Sequence, residues 1–392
     1  MTDATATISG ADADLVAAAK DLVPLVDARA AAAEELGALT DDVVEALHET
    51  GLWAMWVPRE LGGGELEPVA SLEVLETLSY GDASVGWVLM AGGLATGMDA
   101  AFIGDEAAAA LFPPGERLLV HEGQGTRAGR GVRTDGGYRL SGEWAFASGL
   151  KHAQIIHTGM LVEETGEVRI AVFPIEQATV IDNWDVMGLR ATGSIDYTTD
   201  SLFVSEPYTY NATTETPLRG GSLYTLGIVN LGMICHSAWA LGVGRRMLDE
   251  LKALVQSKAG RPGSLGENDA FLGEFAMAEA KWRAARALTY GYWHENQETL
   301  RRGDKLSLEQ NTLNRMALQY VTWTVEEVSM FVYANAGTTA LRAGTIQRFF
   351  RDMHAGTQHV TSSPPVRQAV GRMLAGSAPG KKWRFLSLID AD

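Results

Sequence analysis

The spacing of apolar positions changes twice along this chain. It follows the helical period to about residue 112, alternates in short runs from about 116 to 210, and becomes helical again from about 222. In the first stretch Leu15, Ala18, Ala19, Leu22 and Val23 share one helical face. Thr40 before Asp41 and Asp42 predicts an N-cap with acid in the first turn, leading into Val43, Val44 and Leu47, and Gly51 ends that helix. Residues 57–64, Val-Pro-Arg-Glu-Leu-Gly-Gly-Gly, read as loop. Residues 69–80 form another amphipathic helix, and 83–96 are almost all apolar or small, which predicts a buried one.

The middle stretch predicts a β region. Apolar runs at 118–121, 138–140, 144–146, 155–162, 168–174 and 197–204 are separated by glycine and aspartate turns, and Thr134-Asp135-Gly136-Gly137 suits a hairpin. Residues 138–149 read as a strand, a turn and a second strand ending in Phe146-Ala147-Ser148-Gly149. Trp144 and Phe146 fall two apart, so one face could lie flat against a planar ring. The Ser148 hydroxyl then stands at the strand end, and Gly149 allows close approach. That suits a flavin site; it equally suits an ordinary hairpin with a polar turn.

From there, 223–253, 269–300, 307–336 and 363–374 predict long helices of an antiparallel bundle. The expected organisation is a flexible tail at 1–11, a helical domain at 12–115, a β domain at 116–221 and a four-helix-bundle domain at 222–392. A cofactor belongs at the interfaces between such units.

Composition narrows the function. The 392 residues are 46% hydrophobic with a formal net charge of −17, which argues against nucleic acid or an anionic membrane as partner. The single cysteine, Cys235, excludes an intrachain disulfide and fits the reducing cytoplasm. The N-terminus lacks the features of a signal peptide, and no run of 18 apolar residues predicts a membrane span.

Candidate chemistry is sparse. His121 closes an apolar strand and precedes Glu122-Gly123-Gln124-Gly125; it reads as a base near neutral pH or as a core histidine bonded to backbone. His354 and His359 are five apart, which does not place both on one helical face, and no metal-ligand spacing accompanies them. Arg351-Asp352 reads as a structural ion pair. Gly123-x-Gly125 and Gly129-x-Gly131 lack the setting of a dinucleotide fingerprint, and Ser148 lacks that of a hydrolase elbow. Lys258 and Arg261, in a glycine loop, could hold a phosphate or simply be solvated.

Taken in order, these pieces resemble the acyl-CoA dehydrogenase superfamily over nearly the whole chain. Residues 57–63 resemble its early Pro-Glu-x-x-Gly-Gly loop, 144–149 its flavin-contacting strand, and Asn335-Ala336-Gly337 through Arg348 to Asp352 its late glycine turn and Arg-Asp pair. Many of its dehydrogenases carry a catalytic glutamate nine residues after that arginine. Here the position is Val360, and no glutamate occurs from Met353 to Asp392, although Glu250 lies where some members place the base instead. The chain is more similar to the flavin-dependent monooxygenases of this fold: hydroxylases of the 4-hydroxyphenylacetate type, dibenzothiophene monooxygenases and amino-sugar N-oxygenases. Shared with them are Phe-x-Ser-Gly at 146–149, a histidine on the preceding strand (His121), a histidine seven residues after the Arg-Asp aspartate (His359), and Asp-x-Ser-x-x-Trp at 82–87.

The resemblance implies a mainly α, acyl-CoA dehydrogenase-like fold with an N-terminal helical domain, a central β-barrel-like domain and a C-terminal antiparallel bundle. It implies the oxygenase component of a two-component system: a separate flavin reductase supplies reduced FMN or FAD, which reacts with O2 through a C4a-hydroperoxyflavin. The substrate is a small phenolic, aromatic or polyketide-like compound, or an amino-sugar nitrogen. By the same resemblance Ser148 contacts flavin N5, His359 stands over C4a and His121 faces the substrate. Trp144 and Phe146 wall the ring, Lys258 and Arg261 take the phosphate, no metal is needed and the assembly is a homotetramer. An FAD-dependent acyl-CoA dehydrogenase and a non-catalytic helical scaffold are the rival readings.

Overall fold

The computed structural model describes residues 10–123 and 128–391. Residues 1–9 of the expected tail, and Gln124 and Gly125 of the expected glycine loop, lie outside the described residues. Helix α1 (Ala11–Leu36) already includes the last residue assigned to that tail. Thr40 has the extended backbone of an N-cap before α2 (Asp41–Glu49), but its hydroxyl donates to Asp42 Oδ1 at 2.6 Å instead of accepting from the helix. Gly51, at φ 74°, turns the chain away just beyond α2. The loop at 57–64 contains one 3-10 turn, Arg59–Leu61.

Helices α3 (Pro68–Gly81), α4 (Ala83–Phe102) and α5 (Asp105–Leu111) complete the first layer. The Asp82 carboxylate caps α4 by accepting from the Ser84 and Val85 amides at 2.9 and 3.1 Å. Two helical stretches, Ala83–Phe102 and Ser222–Ser257, are apolar and long enough to cross a membrane by length and composition alone. Burial of 94% and 78% of their apolar windows explains the composition: they are the central core helices, apolar nearly all round.

The strands are β1 (His121–Glu122), β2 (Gly129–Thr134), β3 (Gly137–Ala147), β4 (Ile155–Val162), β5 (Val168–Pro174), β6 (Thr179–Ile181), β7 (Ile195–Ser205) and β8 (Thr209–Asn211). They form one sheet ordered β6-β7-β3-β2-β4-β5-β8, with β1 parallel to β4. The 134–137 turn joins β2 and β3 as expected. The expected two strands within 138–149 are one long strand, because β3 keeps partners along its length in β2 and β7. Its irregularities are register shifts between Leu140 and Gly142 and between Trp144 and Ala147. The run at 118–121 contributes only His121 to a strand. Inside the curved sheet Tyr138, Leu140, Trp144, Ile156, Met160, Phe173 and Tyr197 form a small separate core.

Helices α6 (Gly227–Ser257), α7 (Asp269–Arg301) and α8 (Leu308–Ala336) are the long bundle members, and α8 starts with a capping box of Ser307 and Gln310. After them come α9 (Thr338–Leu341), α10 (Thr345–Gly356), α11 (Pro364–Leu374) and a hairpin of β9 (Lys381–Arg384) and β10 (Ser387–Asp390). Helix α10 and the hairpin were not predicted. Helix α10 buries Ile346, Phe349 and Met353 as a narrow apolar stripe, with Arg348, Asp352 and Gly356 buried beside it.

The expected Arg351–Asp352 ion pair does not form. Arg351 pairs with Glu34 and donates to the Met187 carbonyl, while Asp352 Oδ1 accepts from the Leu189 amide at 2.6 Å. Adjacent helical side chains diverge by about 100° around the axis, so each finds its own neighbour.

Candidate active site at the sheet and bundle junction

A cavity of about 1330 Å³ opens between α4, the outer face of the sheet, α6 and the segment from α10 to Thr361. Strand β3 delivers two of its groups. Regular alternation would put Trp144 and Phe146 on one face, but the bulge between Trp144 and Ala147, with Phe146 at φ 64°, reverses the second. Trp144 turns inward, stacks on Tyr197 with centroids 5.1 Å apart, and donates to the Gly159 carbonyl at 3.2 Å. Phe146 stands 59% exposed on the cavity, edge-on to Trp184. The expected aromatic wall is therefore Phe146 without Trp144. A large aromatic held exposed in a left-handed conformation is strain retained at a site.

Ser148 also lines the cavity and heads a hydroxyl chain. Its Oγ accepts from Trp87 Nε1 at 3.0 Å and lies 2.8 Å from Ser194 Oγ, which lies 2.6 Å from Thr192 Oγ1. Thr192 donates to the Leu189 carbonyl at 2.7 Å. That last acceptor gives the chain a direction. Ser194 donates to Thr192 and Ser148 donates to Ser194, which leaves Ser148 Oγ with a lone pair for a guest.

Two histidine pairs flank this chain. On the sheet side His121 and His157 both hydrogen-bond Asp99 through Nδ1, each at 2.7 Å, and the Tyr210 hydroxyl donates to Asp99 Oδ1 at 3.1 Å. Burial alone would raise the Asp99 carboxyl, but His157 and His121 outweigh it and hold the group below its ordinary range. The carboxylate fixes the proton on each Nδ1 and leaves each Nε2, buried and without a partner among the described residues, as the free nitrogen. His157 lines the cavity, whereas His121 stacks on Phe112 and does not. Their strands explain the difference: His157 shares a face of β4 with Gly159 of the wall, while His121 turns toward α4 and α5. The histidine on the cavity wall is thus His157, and the expected His121 is not on it.

On the helix side His359 stacks on His236 of α6, centroids 4.0 Å apart, and both meet Trp87 edge-on. Burial lowers His359 to about 4, and burial with the neighbouring His359 pushes His236 well below its ordinary value. His359 Nδ1 lies 2.8 Å from Thr361 Oγ1 and accepts from the Thr361 amide at 3.4 Å. The neutral ring therefore carries its proton on Nε2, as a donor. His354 reaches the same cavity from α10, 3.6 Å from Glu326 of α8.

The remaining expected residues fall elsewhere. Lys258 caps the end of α6 and Arg261 follows in the next turn; neither lines the cavity. Glu250 is paired with Arg246 at 2.8 Å, away from the cavity, and Val360 faces it where a dehydrogenase glutamate would stand. No cluster of metal ligands exists among the described residues. Sequence reasoning missed His157, Asp99 and His236. The available signal was Asp99, a lone carboxylate in an apolar helix, which must find partners when buried.

The chain belongs to the acyl-CoA dehydrogenase family: the acyl-CoA dehydrogenase N-terminal domain matches residues 15–114 and the C-terminal domain matches 234–364. Within that family its relatives and structural neighbours are flavin-dependent monooxygenases. It is 26% identical to the indole-3-acetate monooxygenase of Pseudomonas putida over 87% of this chain and 88% of that protein. It is also 26% identical to the flavin-dependent monooxygenase oxygenase subunit HsaA of Rhodococcus jostii, over 88% and 93%. Among solved structures, HsaA from M. tuberculosis superposes with a TM-score of 0.88 at 24% identity, covering 96% of this chain and 100% of that one. XiaF from Streptomyces, in complex with FADH2 and glycerol, superposes at 0.85 with 20% identity, covering 93% and 96%. TdsC from Paenibacillus, in complex with FMN and indole, superposes at 0.80 with 18% identity, covering 95% and 98%.

The residues present fit a flavin. An exposed aromatic face (Phe146), a directed hydroxyl with a free lone pair (Ser148) and a neutral histidine donor (His359) border one largely apolar cavity.

Proposed function

We propose that this chain is the oxygenase component of a two-component flavin-dependent monooxygenase that hydroxylates a small aromatic or phenolic substrate. The observation that carries it is the convergence on one cavity of the Asp99-backed His157, the Ser148 hydroxyl and the neutral His359. Bound reduced FMN or FAD supplies the activation of dioxygen. Phe146 offers its ring an apolar face, and Ser148 Oγ offers a lone pair to the N–H at ring position N5. His359 Nε2–H hydrogen-bonds oxygen in the cavity, and its low basicity keeps it from becoming a fixed cation there. His157 Nε2 takes the proton of a phenolic hydroxyl, making the ring a better nucleophile, while Asp99 holds the imidazole in the required tautomer and stabilises the cation that forms. The apolar lining excludes water from the oxygen chemistry.

The relatives' two-component character supports a partner flavin reductase. Exposed Leu272 and Met277 on α7, with Tyr320, Met330 and Tyr333 on α8, support self-association, which we assign as the homotetramer. A cytoplasmic location belongs to the same proposal, supported by the single, buried Cys235. The test is anaerobic reduction of FMN and FAD followed by mixing with labelled dioxygen, the protein and a panel of aromatic compounds. Label in a hydroxylated product supports the reading; hydrogen peroxide alone with every compound, or acyl-CoA oxidation without oxygen incorporation, rejects it.

A further inference from the structure

Glu122 ends β1, one residue beyond His121. It is 1% exposed and yet forms part of the cavity wall. Its Oε1 has no hydrogen-bond partner among the described residues, and burial pushes the carboxyl well above its ordinary range. Two glycines make room for it. A methyl group on Gly92 of α4 would stand 2.6 Å from Oε1, and one on Gly149, the residue after Ser148, would stand 2.4 Å away. The other close neighbours of those two positions, Trp53 and Val88, present only ring and methyl carbon. A buried polar group without a partner is destabilising, and replacement by an apolar residue of similar shape would remove that cost. The proposed steps use Ser148, His157 and His359 and leave this carboxyl without a task.

We propose that Glu122 is a substrate-positioning group whose carboxyl donates a hydrogen bond to an oxygen carried by the aromatic guest. The inference rests on the cavity being the hydroxylation site for such a ring. A carboxylic acid kept neutral is both donor and acceptor, so it fits a hydroxyl or carbonyl substituent and offers nothing to a bare hydrocarbon. Glu122 then selects oxygen-bearing rings, while His157 activates them.

Titration of 2-naphthol and naphthalene, planar fluorescent rings that differ by one hydroxyl, tests this in wild type, E122L and E122Q, with oxidised FMN and FAD titrated in parallel. The expected result is a wild-type preference for 2-naphthol that E122L cuts by about tenfold. Naphthalene and flavin affinities should stay unchanged, and E122Q, which keeps an N–H donor, should retain most of the preference. Equal loss of both naphthalenes, loss of flavin affinity alone, or no change overturns it. If E122L does not fold, the infrared difference spectrum of 2-naphthol binding decides: a protonated-carboxyl stretch should shift in wild type and be missing in E122Q, and its absence from wild type overturns the proposal. A naphthol preference that depends on Glu122 in a protein that hydroxylates nothing would uphold this anchor while rejecting the proposed reaction.

Discussion

The two histidine pairs beside this cavity differ in what stands behind them. His121 and His157 share a buried carboxylate, and both Nδ1 protons are committed to it. His236 and His359 stack on each other with a tryptophan edge beside them, and burial keeps both neutral. The first arrangement leaves a free Nε2 lone pair on His157 and suits proton removal; the second disfavours an imidazolium and suits hydrogen-bond donation. The same side chain is a base or a donor according to whether a carboxylate or an aromatic ring is its neighbour.

The sharpest way to break this comparison is His157→Ala. Product per reduced flavin should fall by about 10²-fold or more, in the range of a lost general base, while flavin oxidation continues with hydrogen peroxide released. His121→Phe should cost product far less, since that ring does not reach the cavity. The opposite ranking returns the base to His121. Asp99→Asn removes the shared carboxylate, and its product loss should approach that of His157→Ala.

A smaller effect is expected at Ser148. Ser148→Ala removes one hydrogen bond of the hydroxyl chain and should raise the peroxide share of consumed flavin by about fivefold, the scale of one such bond. An unchanged share would remove Ser148 from the oxygen chemistry.

The neutral pair predicts an acid-sensitive fold. The folded-state value of His359, about 4, lies below its ordinary 6.5. Its contribution is complete above pH 6.5 and is lost as the pH falls through the window down to about 4. Calorimetric melting at pH 7 and pH 5 should show a Tm drop that His359→Gln reduces by a few degrees; equal drops in both proteins would mean that another group carries the sensitivity.

Asp352 gives an effect of the opposite sign. Burial, with nearby Asp82, raises it from 3.8 to about 7. Its contribution is complete below pH 4 and is lost as the pH rises through about 7. Asp352→Asn, which can still accept from the Leu189 amide, should match wild type below pH 4 and melt higher at pH 8.

The long periodic elements were legible in the sequence. Strands β4 and β5, helices α6 to α8 and the 134–137 turn follow from apolar spacing and turn chemistry, which act locally. Ser148 and His359 were placed in the site through the family pattern, and both line the cavity. The errors have a different origin. Trp144 and Phe146 were put on one face because alternation assumes an unbroken ladder, and the bulge that parts them depends on how β3 registers with β7. Helix α10 escaped notice because its apolar stripe is narrow and packs mainly on α6 and α8, set far back in the sequence.

By itself the sequence determined the order of helical and strand segments, the acidic surface and the family. Only the tertiary structure decided which histidine lines the cavity. Both bond Asp99, 22 residues from His121 and 58 from His157, and the facing of their strands sets His157 alone on the wall. Helix α4 carries that carboxylate into an apolar interior, and its charge must be met there by whatever donors the sheet brings alongside.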